Sequence, residues 1–133
     1  MKTPFDPVDT MISIINVAAV TGTIDGNIYR NRKPVGDKKR NVAVLNLTMD
    51  GGADEIIQSG TLIINCFAED LDHGMIDEIH LKATVEAIIT RIEAYNAGST
   101  YFHPEVQNIN TFASEDENDM SYMSIRVNYW IEK

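Results

Sequence analysis

The run Thr61 to Ala68, Thr-Leu-Ile-Ile-Asn-Cys-Phe-Ala, is apolar on both of its alternating faces. A strand of that kind needs cover above and below and neighbours on both sides, so it belongs in the middle of a sheet. The rest of the chain has to supply those neighbours and at least one covering layer. With 133 residues, the chain has about the length of one domain, 1–133, and folding at that size buries roughly 70% of the unfolded surface. A hydrophobic share of 44% and a charged share of 23% are those of a globular protein, which excludes collagen-like, low-complexity and wholly disordered chains.

Helical cover is predicted in two places. Asp9 offers an N-cap for a short helix running toward Val20, with Met11, Ile14, Ile15 and Ala18 on one face. Residues 1–8, with Pro4 and Pro7, read as a flexible N-terminal segment. From Ile76 to Tyr95 the apolar positions Leu81, Val85, Ile88, Ile89 and Ile92 repeat at three and four, and Asn96-Ala97-Gly98 is a C-cap pattern. Strands are predicted at Ile28–Arg30, Asn41–Leu47, Val106–Phe112 and over the final segment. In that last strand Met123, Ile125, Val127, Tyr129 and Ile131 alternate with polar residues and Trp130. Pro34 and Gly36 between the first two strands read as the loop of a hairpin. The expected fold is therefore α+β: a mostly antiparallel sheet of about four to five strands with two helices packed on one face. The second face then meets solvent or a partner, and Val42, Val44, Tyr122 and Trp130 are candidate apolar groups on it.

Charge is distributed unevenly. Eleven Lys and Arg face twenty Asp and Glu, a formal charge of −9, which argues against a protein that grips nucleic acid over most of its surface. Residues 30–40 nevertheless hold six of the eleven basic side chains, Arg30, Arg32, Lys33, Lys38, Lys39 and Arg40, with Asp37 the only acid. That segment is +5 and the remainder −14. Its complement lies in Glu115, Asp116, Glu117 and Asp119, with Glu69, Asp70 and Asp72. Such a dipole suits head-to-tail contact between copies, with each basic loop reaching a neighbour's acidic loop. After Tyr29 the basic segment has no aromatic residue, so it makes a poor platform for single strands and carries no sequence-specific nucleic-acid signal. An acidic ring would also repel phosphates and so leave a passage for DNA unobstructed.

Catalytic patterns are missing. The chain has no phosphate-binding Gly-rich loop, no dinucleotide fingerprint, no nucleophile elbow and no Cys-x-x-Cys, so no enzyme activity and no cofactor are expected. His73 and His80 are seven apart, with Asp70 and Asp72 as possible oxygen ligands, but Gly74 places His73 in a capping loop ahead of the helix. No metal site is assigned to them. The acids at 115–119 lack the alternating ligands and mid-loop Gly of a calcium loop. Cys66, the one cysteine, reads as a small core residue. The first residues contain no apolar stretch long enough for a signal peptide or membrane span, so a cytoplasmic setting without membrane contact is expected. Two rivals to an assembly role remain. One is a ligand- or metal-binding domain or enzyme built on His73, His80, Asp72 and Glu69; the other is a monomeric acidic adaptor.

The order of blocks adds a resemblance. Gly26-Asn27-Ile28-Tyr29, then Arg32-Lys33-Pro34, the Asn41–Leu47 strand and Gln58 through Ala68-Glu69-Asp70-Leu71 resemble small neck proteins of tailed phages and prophages. The long helix and the final strand with Ser124-Ile125-Arg126-Val127 extend the likeness over about residues 9 to 131. The group it is most similar to is the tail terminator or tail completion family, related to head–tail joining proteins. That resemblance implies a structural role: a homo-oligomeric ring, commonly a hexamer, that caps the tail tube or joins it to the head. Its implied partners are further copies and the tail tube or neck proteins. Its implied location is the cytoplasm during assembly and then the virion. The family has no catalytic residues to transfer, and the acidic cluster at 115–119 departs from its plan.

Overall fold

The computed structural model describes residues 5–50, 57–98, 101–113 and 119–132. In chain order these form α1 (Phe5–Ile15), α2 (Ala18–Thr21), β1 (Ile28–Arg30), β2 (Val42–Asp50) and β3 (Ile57–Glu69). A 3-10 turn (Asp72–Gly74), α3 (Glu78–Gly98), β4 (Phe102–Ala113) and β5 (Met120–Glu132) complete the order. The strands form one sheet in the order β1-β2-β3-β5-β4. The doubly apolar strand is indeed central: β3 pairs antiparallel with β2 on one side and with β5 on the other. The fold is α+β, as expected.

One face of the sheet carries the core. Val42, Val44, Leu62, Ile64, Cys66, Ile125, Val127, Tyr129 and Ile131 pack against Val8, Met11 and Ile15 of α1 and Leu81, Val85, Ile88 and Ile92 of α3. Each of those four α3 side chains contributes about 1.5–3 kcal/mol by leaving water. The register settles the faces: Val42 stands opposite Cys66 and Val44 opposite Ile64, so both point toward the helices. Val42 and Val44 are thus core residues, fully buried, and not members of the second face. Tyr122 and Trp130 do lie on that second face, where Tyr122 packs on Phe67 with ring centroids 5.4 Å apart.

The first helix differs from expectation at both ends. It starts at Phe5, ahead of Asp9, with Pro7 in its first turn, where a missing N–H costs nothing, and with Val8 buried. Of the N-terminal segment 1–8, residues 1–4 lie outside the described residues and 5–8 belong to the helix. The helix stops at Ile15 because Val17 turns to an extended conformation (φ −129°, ψ 157°), and α2 begins one residue later. Arg91 of α3 takes over the end of α1 by donating from Nε to the Ile14 carbonyl at 2.8 Å.

The larger correction concerns residues 30–47, which are not a hairpin. β1 pairs with β2 in parallel, Ile28 beside Val42 and Arg30 beside Val44. The chain leaves β1 at Asn31, whose φ of 65° turns it back, and returns to Asn41 beside the start of β1. Asn41 makes that return possible. Fully buried, it accepts the Asn27 N–H on Oδ1 at 2.9 Å and donates from Nδ2 to the Lys39 carbonyl at 3.2 Å. Its own carbonyl accepts the Phe67 N–H at 2.9 Å, and Val42 N–H donates to Asn27 at 3.0 Å. Gly26 packs so tightly here that a Cβ would run into the Asn41 side chain and come within 2.8 Å of the Arg40 carbonyl. Asn41→Ala orphans a buried amide N–H and is expected to lower unfolding free energy by about 2 kcal/mol. A urea titration reads this; an unchanged midpoint would show that loop closure does not depend on the amide.

Candidate functional site

The two charge clusters are carried by different strands. Residues 31–41 join the edge strand β1 to β2 and fold back over the sheet as far as Phe67 of β3, whereas Asp119 leads into β5 and meets Asp70 at the end of β3. Both clusters lie toward the same end of the strands, since Asn41 bonds Phe67 and Glu69 pairs with Met120. Glu115, Asp116 and Glu117 lie outside the described residues. Asp119 is exposed, and its carbonyl accepts the Asp70 N–H at 2.6 Å.

The basic side chains divide by what they touch. Arg30 forms an ion pair with Asp9 of α1 at 2.8 Å. Arg40 donates from Nε to the Thr23 carbonyl at 3.3 Å and lies 3.8 Å from the Asp25 carboxylate. Lys33 is only 7% exposed: its ammonium donates to the carbonyls of Pro34 (3.3 Å) and Asp37 (2.9 Å) and sits 5.6 Å from the centre of the Phe67 ring. These three charges hold the loop onto its own protein. Arg32, Lys38 and Lys39 are exposed and form the outward basic surface.

Between the clamped and exposed cations stands a turn. Asp37 N–H donates to Pro34 at 3.3 Å, and Gly36 has φ of 84°, so Pro34–Asp37 is a type II turn whose third position needs glycine. Val35 at its tip is 81% exposed. The Asp37 carboxylate accepts the Lys39 N–H at 3.0 Å, and that bond, with the nearby Asn41 amide and the Lys39 and Lys33 charges, holds its pKa below the usual 3.8.

At the β4 edge, on the helix side, Ile76, Glu78, Leu81 and Lys82 face Thr111 of β4 and Met123 of β5 across an apolar groove of about 140 Å³. Leu71, Met75, Ile79 and Ile109 around it are all exposed. No periodic pattern marks this groove, because it joins residues from elements far apart in the chain.

His80 and His103 make local contacts. His80 N–H and Nδ1 both contact the Asp77 carboxylate, at 3.3 and 2.6 Å, as Asp77 caps α3. His103 stacks on Trp130 with centroids 3.7 Å apart. The side chain of His73 lies outside the described residues, and among those residues no three ligating groups converge as a metal would require. Asp70 accepts the Ser121 hydroxyl at 2.7 Å, and Glu69 and Asp72 are exposed. Cys66 is buried, which pushes its thiol up to about 12. No helix among the described residues is long and apolar enough to cross a membrane.

No family model matches the chain, and no curated protein matches it. Among solved structures, the fold is shared with a chain in the virion of a native gene transfer agent particle. The TM-score is 0.57 at 13% identity, over 95% of this chain and 92% of that one.

The turn carries a pH signature. Because the folded pKa of Asp37 is depressed, its contribution to stability is present above the unfolded value and is lost as pH falls through the folded one. An NMR titration of the Asp37 carboxyl carbon is expected to have its midpoint below 3.8, and Asp37→Asn to destabilise the turn at neutral pH but not at about pH 2. A midpoint at or above 3.8 would mean that the Lys39 N–H bond does not persist in solution.

Proposed function

We propose that this chain is a structural component of the virion of a tailed phage, prophage or related particle, and that it assembles into a homo-oligomeric ring at the tail end or the head–tail junction. The observation that carries this reading is the shared fold with a gene transfer agent virion chain, which extends over nearly the full length of both. Independent support comes from the surface. A loop with exposed cations and a separate set of exposed acidic groups on one subunit suit a heterologous contact that repeats around an axis. The role is assembly rather than catalysis, with further copies and tail or neck proteins as partners. Arg32, Lys38 and Lys39 face outward in this contact; Lys33 and Arg40 hold the loop to its own subunit, and the exposed Arg30 pairs with Asp9.

Light scattering across a concentration series is expected to give a ring-sized mass at low salt that falls as salt rises, since exposed charge pairs are screened within about 10 Å at 0.1 M. A monomer at every concentration and salt would overturn ring formation.

A further inference from the structure

Two apolar features are left open to solvent: the valine at the tip of the 34–37 turn and the groove at the β4 edge. We infer that they are two halves of one contact, with Val35 of one copy seated in the Ile76–Leu81–Met123 groove of the next. This inference rests on the ring reading above and names the surfaces that make the ring.

The turn is built to present its tip. Val35 occupies the second position of a type II turn, and the buried Lys33 ammonium ties the carbonyls on both sides of it, at 3.3 and 2.9 Å. A loop restrained in this way has already lost the freedom it would lose on docking, so binding is not weakened by ordering it. Exposing 81% of a β-branched side chain on such a turn contributes nothing to folding and leaves the residue to contact another surface.

The groove has the matching chemistry. Ile76, Leu81 and Met123 line it together with Glu78, Lys82 and Thr111, and Met75 and Ile79, next to them in sequence, are 64% and 80% exposed, so an incoming valine meets apolar side chains between polar ones. Lys82 is paired with Glu86 at 3.8 Å, which leaves Glu78, with the exposed Asp72 and Asp119 at the same end of the molecule, as the acidic groups near the groove. The turn arrives with Arg32, Lys38 and Lys39 exposed around it, so these cations meet the acidic groups at the rim of the contact. Lys33 ties the turn to the Phe67 side of the sheet, and the groove lies on the helix side, so a chain cannot satisfy its own groove in this manner. Two different surfaces in contact make a heterologous interface, which propagates and closes into a ring when its rotation allows.

The test uses the full chain with Val35→Asp or Thr111→Arg. Both residues are exposed, so thermal melting is expected to stay unchanged while self-association weakens at least tenfold. A second arm mixes Val35→Cys with Thr111→Cys chains under oxidised glutathione; Cys66 does not compete, because its thiol is buried. A mixed disulfide dimer is expected with Thr111→Cys and not with Glu86→Cys, on the outward face of α3. Rings of normal mass from both charged variants, without the cross-link, would overturn this docking and leave ring assembly standing. A strict monomer of the unaltered chain would overturn both.

Discussion

The buried Asn41 amide is the interaction on which the arrangement of this molecule's surface depends. By bonding the backbone at Asn27 and Lys39, it brings the chain back beside the start of β1 instead of across from its end. That choice makes β1 a parallel neighbour of β2 and turns residues 31–41 into a loop folded against the sheet. On that loop Lys33 reaches the Phe67 ring and ties the turn that carries Val35.

Once the loop is held, the cations around it stop being equivalent. Arg30, Lys33 and Arg40 satisfy carbonyls and carboxylates of their own subunit, so the outward field comes from Arg32, Lys38 and Lys39. The structure thereby separates charge that shapes the loop from charge that faces outward. The sheet adds direction: the basic loop folds over the Phe67 side, and the groove opens on the helix side at the β4 edge.

Much of the fold was legible because it follows from short-range periodicity. The doubly apolar Thr61–Ala68 run became the centre of β3, and the three-and-four repeat from Leu81 to Ile92 became the buried stripe of α3. The alternation from Met123 to Ile131 became the core face of β5. Val42 and Val44 were assigned to the wrong face because Asn41–Leu47 is apolar at nearly every position, and alternation then says nothing about which side is in. The break at Val17 was hidden for a different reason: the helix end is completed by Arg91, which is distant in sequence. The proposed docking surfaces were only half visible. The basic cluster stands out in composition, but the clamped role of Lys33 needs Phe67 beside it, and the groove needs three elements brought together.

The sequence by itself determined most element types, the central strand, the buried faces of α3 and β5 and the excess of positive charge in one loop. Each of these depends on residues within a few positions of one another, where local sterics and burial act directly. Only the tertiary structure decided whether β1 runs parallel or antiparallel, which cations are internal and which apolar side chains remain uncovered. Those outcomes turn on contacts between residues far apart in the chain, such as Asn41 with Asn27 and Phe67, Lys33 with Phe67, and Arg91 with Ile14. Their free energy exists only after the backbone has closed, so no local pattern records it.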